Sequence, residues 1–295
     1  TDRSTLLRFL RARKGDVAKA ETLLRSAADF KRRNDVDNVF RSWNLAAYEQ
    51  CLAPWWLSGG FVGHGRKGEP VALERLGRCN FAKLITTMPF DVLQKLDIVH
   101  SMRCLAGLEE DALRQKQPLK PAIVIVDLEG FGFDQVSLAG ARTFAKLVEG
   151  RNCLLCEVTG KILVIRAPPA FAKAWQLCKN LLDAGTVEKV EVASTKDTLK
   201  TLQGFLDDDV IPAFLGGKRK VDGDPECRKI LAPGTMPPKE ATDLLIQRSK
   251  EGQSAPGGTP SPRRPQGLSD ADSSPKSRAN RREVGCLRAN CFGFI

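Results

Sequence analysis

The chain has 295 residues, of which 42% are hydrophobic and 27% are charged, and its formal net charge is +11. This composition is typical of globular proteins and suits one main domain with appendages. The longest apolar run, residues 122–126, is far shorter than the roughly 18 residues that a membrane-spanning helix needs, which excludes a spanning helix.

The positive charge favours acidic partners such as phospholipid and membrane surfaces. Nucleic acid is not an expected partner, because the basic residues are spread among acidic ones and the chain has one tyrosine to stack on bases.

Nine cysteines are scattered along the chain without disulfide-type spacing, which favours free thiols in a reducing cytosol. Cys153 and Cys156 form a CxxC pair, but the pair precedes a predicted strand instead of opening a helix, and the sequence has no second pair for zinc. His64 and His100 are too few for a histidine metal cluster. We therefore expect neither a metal nor a redox site.

Residues 4–34 are predicted to form two helices that meet at Gly15. Asp16 is the expected N-cap of the second helix. The buried face of that helix is predicted from the apolar spacing of Val17, Ala20, Leu24, Ala27 and Ala28.

The glycine-rich segment 59–68 predicts a hairpin turn that leads into a strand. A phosphate-binding loop would end in Gly-Lys-Ser or Gly-Lys-Thr and open a helix, whereas Lys67 is followed by Gly68. We exclude a nucleotide site on this ground.

Beyond this turn, predicted strands alternate with predicted helices. The run Ile-Val-Ile-Val at 123–126 is typical of a strand that is buried on both faces. Strands are expected at residues 70–76, 122–128, 160–166 and 187–192, and helices at 90–114, 137–149 and 197–205. The alternation predicts an α/β layer.

The segment after the strand at 160–166 predicts an amphipathic helix that begins with Pro168 and Pro169. Its apolar positions recur at steps of three and four: Phe171, Ala174, Trp175, Cys178, Leu181 and Leu182. Periodicity alone favours an ordinary surface helix packed on a sheet. The interpretation of this helix as a lid needs independent support.

The composition changes near residue 232. Residues 254–282 are rich in Ser, Pro, Gly and Arg without apolar periodicity, so we expect them to be disordered. The whole segment 221–295 is assigned to a low-complexity, disordered tail. Cys291 is the fifth residue from the end and does not fit the prenylation rule.

Separated segments occur in the order found in one family. They are LLRFLRARKGDVAKA (6–20), PVALERLG (70–77), IVIVDLEG (123–130), GKILVIRAPPAF (160–171), LLDAGTVEKVEV (181–192) and IPAFLGG (211–217). This ordered set resembles the CRAL-TRIO lipid-binding family, particularly its Sec-fourteen-like phosphatidylinositol transfer proteins. The resemblance covers about residues 4–218.

The resemblance implies an α/β fold with a helical N-terminal lobe (1–50) beside a CRAL-TRIO lobe (51–220). In the second lobe a mixed sheet floors an apolar lipid pocket that a gating helix closes. Residues 169–182 are thereby identified as the gate, and Phe171, Trp175, Cys178, Leu181 and Leu182 as its pocket-facing residues.

The resemblance also implies a headgroup site for phosphatidylinositol. Its five positions are matched by Arg13, Lys14, Glu157, Thr186 and Lys189. Cations neutralise a phosphate, while a carboxylate and a hydroxyl accept hydrogen bonds from inositol hydroxyls. The alternative for these residues is that the cations are solvated surface charges and that Glu157 pairs locally with Lys161.

Other positions depart from the family pattern. In phosphatidylcholine-exchanging members, two small hydroxyl residues line the pocket strand. The resemblance implies that Ala122 and Val124 take these pocket positions here, and neither side chain can hydrogen-bond a phosphate. The family's usual Asn before Ala-Pro is Arg166, and Tyr48 lies outside the pocket segments. We infer that phosphatidylinositol recognition persists while the second ligand is different or more apolar.

These observations predict a non-enzymatic carrier or presenter of phosphatidylinositol without a cofactor. No nucleophile–base pair supports catalysis. We expect it to be cytoplasmic and peripheral at internal membranes, with a lipid kinase or trafficking protein as a possible partner of the tail. The alternatives are a carrier of another hydrophobic ligand, such as tocopherol, a retinoid or a sterol-like molecule, and a membrane-trafficking scaffold with a vestigial pocket.

Overall fold

The computed structural model describes residues 3–43, 59–231 and 239–253. The helices are α1 (Arg3–Ala12), α2 (Val17–Arg33), α3 (Val36–Trp43), α4 (Phe81–Thr87), α5 (Phe90–Arg114), α6 (Leu138–Leu154), α7 (Pro169–Cys178), α8 (Ala184–Lys189), α9 (Thr198–Gln203) and α10 (Lys239–Gln253). The strands are β1 (Gly59–His64), β2 (Pro70–Glu74), β3 (Ala122–Asp127), β4 (Thr159–Ile165) and β5 (Val190–Val192).

The five strands form one mixed sheet in the order β1-β2-β3-β4-β5. The predicted glycine-rich hairpin is confirmed, because β1 pairs antiparallel with β2. The remaining neighbours are parallel, with Val124 opposite both Ala72 and Ile162. Parallel neighbours need crossover connections, which α5, α6 and the α7–α8 segment provide. The predicted α/β fold is confirmed.

Both faces of the sheet are buried, as the β-branched run in β3 predicted, and all six residues of β3 are buried. Alternate side chains of a strand point to opposite faces. Val124 and Val126 pack with residues of α5 such as Leu96. Ile123 belongs to a second cluster on the opposite face, together with residues of β2, β4, α9 and the segment that follows α9.

Of the N-terminal helices, α2 lies against α6, α1 packs on α2, and α3 packs on α5. Asp16 caps α2 as predicted, since its carboxylate accepts a hydrogen bond of 3.0 Å from the backbone N–H of Lys19. Phe9 of α1 and Ala27 of α2 share a small apolar cluster with Cys156, which follows α6. This cluster fixes the end of α1 beside the turn that joins α6 to β4.

The strand prediction for residues 187–192 is wrong over its first half. Residues 184–189 form α8 because Asp183 caps a helix there, accepting a hydrogen bond of 2.9 Å from the N–H of Gly185. The strand is limited to Val190–Val192. The predicted gate helix is also shorter, since α7 ends at Cys178 and a 3-10 turn covers Lys179–Leu181.

Assigning all of 221–295 to a disordered tail is wrong for the part that the structure describes. Cys227 and Leu231 are buried in the second core cluster. Helix α10 packs on α5 through Ala241 and Leu245, and Ser249 donates a hydrogen bond of 2.6 Å to Asp91. The few apolar residues in these two segments are therefore sufficient to pack them on the core, although polar residues surround them in sequence. Residues 254–282 and Tyr48 lie outside the described residues.

Candidate functional site

A cavity of about 490 Å³ lies between the sheet and helices α6, α7 and α8, with α1 and α2 at one end. Its volume is in the range of small-molecule pockets. Most of the wall is apolar, with Val126 and Val164 from the sheet, Phe144 and Leu147 from α6, and Trp175 from α7. A wall of this kind favours hydrocarbon over water.

Helix α7 forms one wall of the cavity, as predicted for the gate. Phe171 and Trp175 are stacked with ring centroids 6.1 Å apart, and Phe131 meets Phe171 edge to face at 6.2 Å. Cys178 and Leu182 also line the cavity. Leu181 does not, because the 3-10 turn rotates its side chain outward and leaves it 46% exposed.

Four of the five predicted headgroup residues line the same cavity: Arg13, Glu157, Thr186 and Lys189. Lys189 Nζ lies 3.3 Å from Glu157 Oε1. Arg13, Glu157 and Lys189 are all close enough to Cys156 to act on its thiol electrostatically, which places them at one end of the cavity. Lys14 is exposed in the turn after α1 and is absent from the cavity wall.

Local structure explains how these side chains converge. Glu157 occupies the tight turn between α6 and β4 with a left-handed φ of 54°. Thr186 and Lys189 are three residues apart on α8 and therefore share a face of that helix. Arg13 follows the last residue of α1 and donates a hydrogen bond of 3.0 Å to the carbonyl of Ala12. Two turns and one short helix thus supply the charged end.

Ala122 and Val124 do not line the cavity, contrary to the prediction. Both are fully buried on the same face of the sheet as Val126. They belong to the core cluster that includes Leu96 and Val99 of α5. The prediction failed because the sequence indicates which side chains of a strand share a face, but not which helix covers each part of that face.

Cysteine side chains in the wall are held as neutral thiols. Burial raises the pKa of Cys79 to about 12. Burial, followed by the charge of Glu157, raises the pKa of Cys156 to about 11. Neutral thiols are poor nucleophiles and poor metal ligands. Within the described ranges, no cluster of three or more His, Cys, Asp or Glu residues could hold a metal ion.

Arg166, which stands at the family's usual asparagine position, anchors the chain just before the gate. Its Nε donates a hydrogen bond of 2.8 Å to Asp127 Oδ1, and its Nη1 lies 2.7 Å from Glu129 Oε1. Its backbone N–H donates to Thr198 Oγ1 at 3.2 Å. These contacts fix the carboxyl end of β4, from which α7 departs.

A charged residue of the cavity wall was missed by the sequence analysis. Arg151 of α6 lines the cavity and forms a buried ion pair with Asp97 of α5. The signal was present in the sequence, because Phe144, Leu147, Arg151 and Leu155 recur at steps of three and four, which places an arginine on an apolar face.

A sheet that floors an apolar cavity, a helix that forms one of its walls and a charged end are together typical of a lipid-binding α/β protein. Residues 58–217 match the family model for the CRAL/TRIO domain, and residues 1–26 match the model for the CRAL/TRIO N-terminal domain. The chain belongs to the CRAL/TRIO family, whose members are lipid carriers and generally not enzymes.

Relatives include "Protein real-time" of Anopheles gambiae, which is 27% identical over 223 residues, covering 75% of this chain and 32% of that protein. "Phosphatidylinositol/phosphatidylcholine transfer protein SFH13" of Arabidopsis thaliana is 26% identical over 222 residues, covering 75% of this chain and 35% of that protein. The chain therefore spans about a third of the length of these curated relatives.

A solved structure of Sfh5 superimposes with a TM-score of 0.55 at 14% sequence identity, covering 84% of this chain and 81% of that one. At this identity the likeness establishes the fold alone. Among the described residues, no helix is both long enough and apolar enough to cross a membrane.

Proposed function

We propose that the chain is a non-enzymatic carrier or presenter of phosphatidylinositol, which it takes up in the apolar cavity and exchanges at membranes. The observation that carries this proposal is the pair of Lys189 and Glu157, 3.3 Å apart in the wall of an otherwise largely apolar cavity. In a site that binds only hydrocarbon, two charges in the wall would cost free energy without contributing to binding.

The charged end suits an inositol phosphodiester. Arg13 and Lys189 bring two positive charges that can neutralise the phosphate. The carboxylate of Glu157 accepts hydrogen bonds and donates none, so it suits inositol hydroxyls and would repel a bare phosphate. Thr186, one turn from Lys189, adds a hydroxyl that can donate or accept. Lys14, exposed beside Arg13, can add longer-range attraction to an anionic membrane surface.

The apolar part of the cavity suits acyl chains. Each CH₂ group transferred from water into such a site gains about 0.8 kcal/mol. A carrier must load and release its lipid, and we assign this gating role to α7, which forms one wall of the cavity. Its aromatic residues can enter the membrane interface when the helix swings outward.

The cellular role follows from this chemistry. A chain with a net charge of +11 is drawn to the anionic cytoplasmic leaflet, so we place its action peripherally at internal membranes, in the cytoplasm. Three relatives from Arabidopsis thaliana carry phosphatidylinositol/phosphatidylcholine transfer in their names, which supports a transfer role. We also propose a lipid kinase or trafficking protein as a partner of the C-terminal tail, which the sequence analysis assigned to 221–295.

Phosphatidylcholine is not the second cargo that we propose. Ala122 and Val124 carry no hydroxyl and lie outside the cavity wall. The second candidate function is therefore transport of a more apolar molecule, such as tocopherol, a retinoid or a sterol-like ligand, through the same cavity.

A vesicle assay tests the proposal. Donor vesicles carry labelled phosphatidylinositol, labelled phosphatidylcholine or labelled tocopherol, and acceptor vesicles carry none. We expect the full chain to transfer phosphatidylinositol well above the rate without protein. Transfer of tocopherol alone would establish the second candidate instead, and transfer of none of the three would leave a scaffold with a vestigial pocket.

A further inference from the structure

The buried ion pair between Arg151 and Asp97 has an unusual position. Arg151 is 5% exposed and Asp97 is 3% exposed, yet Arg151 forms part of the cavity wall. Arg151 Nε donates a hydrogen bond of 2.6 Å to Asp97 Oδ1, and Nη2 of the same guanidinium contacts the same oxygen. Burial, the largest single influence, would lower the pKa of Arg151, but the charge and hydrogen bond of Asp97 together with the charge of Glu74 outweigh it and raise the pKa. The guanidinium therefore stays charged.

One nitrogen of this guanidinium makes no hydrogen bond within the described part of the chain. Arg151 Nη1 is fully buried and has no hydrogen-bond partner among the described residues. A buried charged donor without an acceptor is costly to the folded protein. Proteins retain such groups where a ligand or water supplies the acceptor.

The position of Arg151 along α6 indicates which part of a ligand it meets. Leu155 lies four residues later, on the same face of the chain, and also lines the cavity, about 6 Å further along the helix axis. Glu157, which belongs to the charged end, follows in the next turn. Phe144 and Leu147, on the other side of Arg151, belong to the apolar part. Arg151 thus stands between the charged end and the hydrocarbon wall.

We propose that Arg151 Nη1 donates a hydrogen bond to an ester carbonyl oxygen of a bound glycerolipid, and that Asp97 positions the guanidinium for this contact. In a glycerophospholipid the ester carbonyls lie between the phosphate and the acyl chains, which is the order of the wall residues. This inference rests on the proposed function, because it takes the headgroup end to be at Glu157 and Lys189.

This contact would make the cavity selective for lipids with ester-linked chains. A lipid with ester-linked chains satisfies the buried donor, whereas an ether-linked lipid of the same headgroup or a pure hydrocarbon leaves it unsatisfied. Specificity of this kind comes from the penalty on the wrong ligand.

The test compares diester phosphatidylinositol with its diether analogue, which keeps the headgroup and chain length but lacks both carbonyls. Each lipid competes with a fluorescent phosphatidylinositol for delipidated full chain, and the two dissociation constants are compared. We expect wild type to bind the diester about tenfold more tightly, as one hydrogen bond from a charged donor provides.

A paired substitution removes the donor together with its carboxylate partner. In Arg151→Met/Asp97→Leu, apolar residues of similar size replace both partners, a change that folded proteins often tolerate. The matched control is Arg32→Met/Asp29→Leu, which removes an exposed ion pair of 2.8 Å on α2, away from the cavity wall. We expect the first variant to bind the two lipids equally and the control to keep the wild-type preference.

Equal binding of the two lipids by wild type would overturn the role of Arg151 and leave the proposed function standing, and this comparison needs no variant. A preference that persists in a folded Arg151→Met/Asp97→Leu protein would also overturn it. Failure of wild type to bind either lipid would refute the proposed function itself.

Discussion

Lys189 Nζ lies 3.3 Å from Glu157 Oε1, although 32 residues separate the two in sequence. The two side chains are 26% and 30% exposed, so neither is buried as a purely structural pair would be. A partly exposed pair at this distance contributes little to folding stability. Both residues therefore remain available to a ligand at modest cost.

We predict that Lys189→Ala and Glu157→Ala each weaken phosphatidylinositol binding about tenfold, because each removes a charge-assisted hydrogen bond to the headgroup. Binding of an uncharged cargo such as tocopherol should be unchanged. Competition against a fluorescent lipid measures both effects.

The matched controls are Lys196→Ala and Glu188→Ala, which alter exposed residues close in sequence that do not line the cavity. Both should bind phosphatidylinositol as wild type does. If Lys189→Ala and Glu157→Ala also bind it normally, the headgroup assignment is wrong.

The gate gives a second prediction. Trp175 stacks on Phe171 in the cavity wall, so Trp175→Asp introduces a charge where we propose that acyl chains bind. We expect lipid transfer between vesicles to fall about tenfold or more for every cargo, since a buried unpaired charge costs several kcal/mol. The control is Gln176→Asp, which adds the same charge at an exposed position on the same helix. Undiminished transfer by Trp175→Asp would contradict the gate.

Cysteine reactivity gives a third prediction. The ordinary pKa of 9.0 is raised to about 11 for Cys156, so at pH 8 the folded chain holds about 100-fold less thiolate there than the unfolded chain. Alkylation of Cys156 by iodoacetamide, followed by peptide mass spectrometry, should speed up about tenfold per pH unit through pH 10. In urea the rate should level off near pH 9. A plateau near pH 9 in the folded protein would refute the raised pKa.

Helix α10 gives a fourth prediction, on stability. Leu245 is fully buried against the main core, whereas its neighbour Leu244 is 51% exposed. Leu245→Ala should lower the free energy of unfolding by about 2–4 kcal/mol in urea titration. Leu244→Ala should lower it by about 0.5 kcal/mol or less. Equal effects of the two substitutions would mean that α10 does not dock as the structure shows.

The sequence was sufficient for the class of fold because its signals were local. The buried run at 123–126, the glycines of the β1–β2 turn and the Asp16 cap each specify a conformation within a few residues. The strand predicted at 187–192 failed where two local signals competed. The helix-capping hydrogen bond of Asp183 outweighed the strand preference of the β-branched residues, so the first half of the segment is helical.

The candidate site was less predictable because it depends on tertiary packing. The ordered family motifs identified four residues that line one cavity: Arg13, Glu157, Thr186 and Lys189. The motifs did not indicate that Lys14 is exposed and lies outside the wall. The apolar spacing of α6 could have indicated Arg151, but its partner Asp97 lies 54 residues away on another helix, and no local pattern connects the two.

The central claim is that the cavity holds phosphatidylinositol, and the most direct measurement is mass spectrometry of the lipids extracted from the purified full chain after incubation with mixed phospholipid vesicles. We predict phosphatidylinositol at close to one molecule per chain for wild type, and strong depletion of it in Lys189→Ala relative to Lys196→Ala. Lipid extracts without phosphatidylinositol, or with equal amounts in the two variants, would contradict the claim.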